Sequence, residues 1–203
     1  MNIHSESKKR VMTLSNQKRE DIMQAALVLF SERGYDGTTV PMIAEKAQVG
    51  AGTIYRYFEN KERLVNELFQ SCLEKFSNKL QENFPYSTTD LREQFNFIFQ
   101  KMVQFTKEDI YSVPFIESHS CGHYLDDDSE KMFEDFLGFL RQLLENGRDQ
   151  GRIVSKFPTD ALIAIVYGAY VQLNKLIRNG IVPETKEMLI GVEECCWNAI
   201  RIN

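Results

Sequence analysis

Apolar residues recur at intervals of three and four along most of the chain, which is the spacing of one face of an α-helix. In the first clear example, the shared face consists of Ile22, Ala25, Ala26, Leu29 and Phe30. No stretch keeps the strict alternation of apolar and polar residues that a half-buried strand requires. Only 5 prolines and 11 glycines interrupt the pattern. The sequence therefore predicts an all-α protein with about nine helices.

Capping residues divide the first third of the chain into short helices. Ser15 or Asn16 is placed to cap a first helix, and Thr39 is placed to cap a second. After the turn "QVG", a third helix is predicted over residues 51–58, and Asn60 caps a long fourth helix. Two short helices joined by a tight turn that contains glycine are typical of a helix-turn-helix.

The third helix carries large side chains in the run "TIYRYF". Ile54 and Phe58 are four residues apart and share one face, which we expect to point inward. The intervening Tyr55, Arg56 and Tyr57 then lie on exposed or flanking surfaces. Tyrosine hydroxyls suit phosphate contacts, and a guanidinium can reach base edges in a major groove. This pattern predicts a DNA-recognition helix, although half-buried tyrosines in an ordinary core would fit the same spacing.

Residues 22–65 resemble the N-terminal domain of the tetracycline-repressor (TetR) family. The motifs that carry the resemblance are "ALVLFSERGYDGTTV", "IAEKAQV" and "GTIYRYFENKERL". Three positions depart from the usual family pattern. Pro41 stands where a polar residue is common, and Gly50 and Ala51 replace a pair that commonly includes serine and a basic residue.

The resemblance implies a set of DNA contacts and a mode of action. Thr39 and Lys61 would bind phosphates, Thr53 and Arg56 would face bases, and the two tyrosines would brace the backbone. The complete implied set is Thr39, Ala51, Gly52, Thr53, Tyr55, Arg56, Tyr57 and Lys61. The implied function is that of a transcriptional repressor, with a homodimer released from a palindromic double-stranded operator by a small apolar or amphipathic ligand. No cofactor is implied.

Charge and turn signals divide the chain into three segments. Residues 1–15, which include "KKR" (Lys8–Arg10), are expected to form a flexible arm or simply a solvated tail. Residues 16–64 are expected to form the helix-turn-helix domain, and residues 65–203 a larger helical domain for ligand binding and dimerisation. The net charge is −5, but residues 1–63 carry +2 and the remainder carries −7. Local charge, not the total, governs contact with DNA.

The middle helices carry an aromatic stripe that is typical of a core and also of an apolar ligand pocket. The resemblance implies a small inducer between these helices. The candidate pocket residues are Phe95, Phe99, Met102, Phe115, His119, His123, Tyr124, Phe136 and Tyr167. The run "HSCGH" also suggests a zinc site. However, Cys121 would point away from the two histidines and no second ligand cluster appears, so no metal is expected.

The last two predicted helices carry more apolar surface than one-sided packing requires. Part of this surface can be buried within the chain, and the resemblance implies that the rest pairs with a second copy. The candidate interface residues are Leu162, Val166, Ala169, Tyr170, Leu173, Met188, Val192, Cys195 and Ala199.

Two other function classes remain open at this point. The chain could be a helical adaptor that binds protein, or an all-α enzyme with His119 or His123 as a base. No nucleophile paired with a base, no phosphate loop and no convincing carboxylate pair supports an enzyme. No apolar run is long enough to span a membrane and no signal peptide is evident, so we expect a cytoplasmic protein with reduced cysteines.

Overall fold

The computed structural model describes residues 3–202, and it describes side chains from residue 16 onward. This part of the chain is helical, with a single isolated β-bridge between Ile153 and Arg201. The helices are α1 (Ile3–Arg33), α2 (Val40–Lys46), α3 (Ala51–Tyr57), α4 (Lys61–Gln81), α5 (Leu91–Glu108), α6 (Ser112–His119), α7 (Asp127–Asp149), α8 (Thr159–Arg178) and α9 (Lys186–Ile200). The all-α prediction is confirmed. No helix of the described part is long and apolar enough to cross a membrane.

Helix α1 begins well before the predicted capping residues. Ser15 and Asn16 lie inside it, because the sequence from Ile3 to Arg33 contains neither proline nor glycine and is rich in good helix formers. The side chains of the predicted arm, including Lys8–Arg10, lie outside the described set. The function of that arm stays a prediction.

The chain folds as two compact units, and the division between them falls inside α4 and α7. Unit 1 consists of Met1–Glu74 and Tyr111–Glu130, and unit 2 consists of Lys75–Ile110 and Lys131–Asn203. Unit 1 therefore holds α6 and the turn after it, in addition to the predicted helix-turn-helix region. The pattern of the sequence does not reveal this pairing of α6 with α1, and the domain boundary at residue 64 stays a prediction.

The core of unit 1 is built from aromatic side chains of α1, α4 and α6. Phe30 of α1 packs against Phe115 of α6, with ring centroids 6.2 Å apart, and Phe69 of α4 lies 6.3 Å from the same ring. An ion pair between Arg19 and Glu67 joins α1 to α4 at the rim of this core. Burial of these rings against one another provides the main driving force for the packing.

The core of unit 2 contains two polar groups that are satisfied internally. Tyr170 of α8 is fully buried, and its hydroxyl donates to the Met102 carbonyl at 2.8 Å and lies 2.7 Å from the Thr106 hydroxyl. Glu193 of α9 is 2% exposed and forms a two-pronged ion pair with Arg92 of α5. These bonds remove the penalty of burying the phenol and the carboxylate without partners.

Candidate nucleic-acid interface and ligand cavity

Helix α2 is capped as the sequence predicts. Thr39 is extended and exposed, and its hydroxyl accepts the Met42 N–H at 3.5 Å. Val40 and Ile43 face inward. In the turn that follows, the left-handed residue is Gln48, with φ of 55°, and Gly50 at the start of α3 has an ordinary φ of −70°. The sequence does not reveal this placement, because glycine is the residue normally expected at a positive φ.

Helix α3 presents its large polar residues outward. Ile54 and Phe58 are each 1% exposed, whereas Tyr55 is 56% exposed and Arg56 is also exposed. Tyr57 is half-buried. Of the remaining candidates on this helix, Ala51 and Gly52 are exposed and Thr53 is half-buried. A phenol and a guanidinium therefore stand on the outside of a helix that two apolar residues anchor from behind.

Lys61, at the start of α4, has a role within the chain that the sequence did not predict. Its Nζ donates to the carbonyl oxygens of Tyr35 at 2.7 Å and Thr38 at 2.8 Å, and it lies 3.8 Å above the Tyr35 ring. Burial lowers the pKa of its ammonium group, and nearby carboxylates oppose that effect. Two of the three ammonium N–H groups are thus taken. A phosphate contact by Lys61 stays a prediction.

Thr38 is a second residue of this region that the sequence did not single out. It is fully buried, and its hydroxyl lies 2.8 Å from the Gly34 carbonyl and 3.1 Å from the Leu29 carbonyl. The Thr38 hydroxyl thus bonds carbonyl oxygens at the end of α1, while the neighbouring Thr39 caps α2. The sequence signal for this role was the pair of adjacent threonines. Only one threonine is needed to cap α2, so the other had to serve elsewhere.

Four of the nine candidate pocket residues surround one cavity in unit 2. Phe95, Met102, Phe136 and Tyr167 line it, and its volume is about 60 Å³. The other lining residues are Phe76, Leu80, Ile98, Leu140, Leu143, Leu144, Leu162, Ile163, Val166 and Ile200. Among the described residues, this lining includes no charged side chain. Phe99 is buried beside the cavity residues of α5, edge-on to Tyr170 with ring centroids 5.5 Å apart.

The other four candidates belong to unit 1 and do not line this cavity. They are Phe115, His119, His123 and Tyr124. Phe115 and His119 are buried against α1, Tyr124 stacks on Tyr35, and His123 is exposed. The sequence grouping is corrected here because α6 packs with the helices of unit 1. Chain order alone did not show that.

His119 is a buried, neutral imidazole. Its Nδ1 lies 2.9 Å from the Phe115 carbonyl and 2.8 Å from the Ser118 hydroxyl, and its Nε2 has no hydrogen-bond partner. Burial lowers its pKa to about 4, against a smaller opposing effect from the Phe115 carbonyl. Cys121 and His123 are exposed, and the described residues contain no cluster of metal-ligating side chains.

The structure revises which side of α8 is available to a partner. Leu162 and Tyr170 are fully buried inside unit 2, so these two do not form an outer surface, and Val166 is half-buried and lines the cavity. Ala169, Cys195 and Ala199 are exposed, and Leu173, Met188 and Val192 are half-buried. Ile165, which belongs to the apolar stripe of α8, is 44% exposed, and Ile190 of α9, which the helical pattern did not single out, is 42% exposed.

This combination of a capped α2, an outward-facing α3 and a separate helical unit with an apolar cavity defines a helix-turn-helix regulator. Family comparison agrees in both parts of the chain. Residues 22–68 match the family of bacterial regulatory proteins called the tetR family, and residues 69–202 match the tetracyclin repressor-like C-terminal domain. The chain belongs to the TetR family of transcriptional regulators.

Known proteins with similar sequences or folds are also regulators. An uncharacterized HTH-type transcriptional regulator, YhgD of Bacillus subtilis (strain 168), is 30% identical over 145 residues, which is 69% of this chain and 74% of that protein. A probable acrEF/envCD operon repressor of Escherichia coli (strain K12) is 25% identical over 80% of this chain and 76% of its own. The structure of the regulator FadR from Bacillus subtilis in complex with stearoyl-CoA has a TM-score of 0.62 at 20% identity, covering 88% of this chain and 95% of that chain.

Proposed function

We propose that this protein is a dimeric repressor that binds a palindromic double-stranded operator and is released from it by a small apolar or amphipathic ligand. The observation that carries the proposal is the outward display of Tyr55 and Arg56 on α3, anchored by Ile54 and Phe58. It would act in the cytoplasm, where its DNA is. The proposal includes no enzymatic activity and no cofactor.

The proposed DNA surface keeps all the residues that the family resemblance implies. Thr39 and Lys61 would contact phosphates, Thr53 and Arg56 would reach base edges, and Tyr55 and Tyr57 would brace the backbone. The exposed Ala51 and Gly52 would allow close approach to the groove. Lys61 would use its remaining N–H for phosphate while the other two hold the chain.

The proposed dimer surface lies on the outer faces of α8 and α9. It comprises Ile165, Ala169, Leu173, Met188, Ile190, Val192, Cys195 and Ala199. Gly168 supports this choice, because a Cβ at that position would meet nothing within 4 Å inside the chain. A glycine in a helix interior costs about 1 kcal/mol relative to alanine. Close approach of a second copy would account for its presence.

The proposed ligand site is the cavity of unit 2, whose lining suits a hydrocarbon group. FadR, which has a similar fold, holds stearoyl-CoA. The cavity of about 60 Å³ is smaller than the roughly 150 Å³ void that accepts benzene. A ligand would therefore have to bind a widened conformation. It would release the operator if that conformation no longer matched the spacing of the two half-sites.

Operator selection tests this proposal. Genomic fragments retained by the purified protein would be sequenced, and the bound site would be footprinted. We expect an inverted repeat with half-sites about 34–36 Å apart or somewhat more. Loss of retention on adding an apolar ligand would support release, whereas a protein that enriches no fragment at low salt would refute the regulator proposal.

A further inference from the structure

Three side chains in unit 1 form a layered arrangement that we call the ring stack, consisting of Lys61, Tyr35 and Tyr124. The rings of Tyr35 and Tyr124 are 3.8 Å apart and nearly parallel, at 17°. On the Tyr35 ring, the Lys61 ammonium group lies 3.8 Å from the centroid. Stacked rings and a cation above an aromatic face each contribute attraction beyond simple burial.

Tyr124 is held in place from the side of α4 and the turn after α6. Asn66, which is 3% exposed, donates to the Tyr124 carbonyl at 2.7 Å and accepts the Asp126 N–H at 2.9 Å. The Tyr124 ring also folds back over Gly122, where a Cβ would lie 2.4 Å from the ring. A Cβ at position 122 would therefore require the Tyr124 ring to shift.

The other end of the ring stack leads to the start of α2. Lys61 donates to the carbonyl oxygens of Tyr35 and Thr38, and so fixes both ends of the connection between α1 and α2. The next residue, Thr39, caps α2, which packs directly on α3. The ring stack is therefore linked through Lys61 to the residue that precedes the α2 cap.

We propose that Tyr124 is a positioning residue for DNA binding, although it lies outside the helix-turn-helix and far from it in sequence. Its ring holds Tyr35, and through Tyr35 the Lys61 ammonium group, in the arrangement that fixes the α1–α2 connection. A loosened connection would have to be ordered when DNA binds, and that ordering would reduce affinity. This inference rests on the proposed DNA-binding function.

Four variants, the fourth being Gly122→Ala, separate a positioning role from general stability. Tyr124→Leu removes the ring, Tyr124→Phe keeps it, and Phe69→Leu removes a buried ring of the same unit that is not in the stack. Binding of each to the selected operator would be measured by fluorescence anisotropy well below the unfolding temperature, with urea unfolding in parallel.

We expect Tyr124→Leu to weaken binding about fivefold or more, which is the value of one aromatic pair expressed as affinity. Tyr124→Phe should bind within about twofold of the wild type, since only the hydroxyl is lost. Gly122→Ala, which displaces the ring without changing it, should behave like Tyr124→Leu. A greater loss of affinity in Tyr124→Leu than in Phe69→Leu, at comparable stability, supports the proposal.

Three outcomes overturn it. Equal binding by the wild type and Tyr124→Leu refutes the role of Tyr124 and leaves the proposed function intact, as does a loss in Tyr124→Leu that Phe69→Leu matches at equal stability. Absence of DNA binding by the wild type refutes both the proposed function and this inference.

Discussion

Arg56 is the residue with the clearest proposed role in reading sequence. Arg56 is exposed on α3. The ion pairs found among the described residues of unit 1 do not include it. Arg56→Ala should reduce discrimination between the operator and a single-mismatch site by about 1–3 kcal/mol. Competition gel shifts would measure this, with Arg152→Ala, an exposed arginine of unit 2, as the control. Unchanged discrimination would remove Arg56 from the recognition surface.

Lys61 should affect stability as well as binding. Lys61→Ala would leave the Thr38 carbonyl oxygen without its donor, while the Tyr35 carbonyl would keep the Thr38 N–H. We expect this to cost about 1–3 kcal/mol in the free energy of unfolding. If the remaining N–H contacts phosphate, the salt dependence of binding should also flatten by about one unit. Urea unfolding and a salt titration would separate the two effects, with the exposed Lys18→Ala as control. An unfolding free energy of Lys61→Ala equal to that of the wild type would show that the Lys61 hydrogen bonds do not stabilise the fold.

His119 should make unit 1 sensitive to acid. Its folded-state pKa of about 4 lies below the ordinary value of 6.5, so the unfolded chain takes up a proton first as the pH falls. The stabilisation is complete above pH 6.5 and is lost between pH 6.5 and pH 4, by about 3 kcal/mol at most. His119→Asn can retain a donor to the Phe115 carbonyl and does not titrate. The unfolding free energy of His119→Asn should therefore depend less on pH over this range than that of the wild type. Equal dependence in the two proteins would show that His119 is not the acid-sensitive group.

At the residue scale, helix spacing predicted some positions and not others. The inward positions of Ile54 and Phe58 follow from a spacing of four within one helix. The bonds of Lys61 and Thr38 could not be predicted, because both involve backbone carbonyls that folding brings close. The buried state of His119 likewise depends on packing against Phe30 of α1.

At the element scale, the outer face of α8 is the main test of the dimer. Ile165→Glu would place a charge on the proposed interface and should shift the protein toward monomer in sedimentation at micromolar concentration. Ile181→Glu offers a matched control, because Ile181 is 67% exposed between α8 and α9. A dimer that both substitutions leave unaffected would place the interface elsewhere.

The helical pattern predicted that each helix exists better than it predicted which helices pack against one another. Apolar residues surround most of α8, so periodicity could not decide whether Leu162 and Tyr170 or Ile165 and Ala169 faced outward. The start of α1 was missed for a related reason, since a serine or asparagine can cap a helix and can also lie within one. Packing partners decide such cases.

At the scale of the whole molecule, the sequence predicted an all-α fold and, through the family resemblance, DNA binding and ligand binding. The family resemblance rests on residues 22–65, where spacing of short motifs is specific. The sequence could not assign the candidate ligand residues to a unit, because an aromatic stripe is typical of any apolar interior. Only the fold assigns Phe95 and Phe136 to unit 2 and His119 to unit 1.

Photochemical crosslinking at position 55 shows whether α3 lies against DNA in the operator complex. A photoreactive benzoyl-phenylalanine would replace Tyr55 in one variant and Tyr86, which is 67% exposed in unit 2, in another. We expect irradiation of the operator complex to join the position-55 variant to DNA and to leave the position-86 variant free. Efficient binding of the operator without any crosslink from position 55 would contradict the claim that α3 enters the groove.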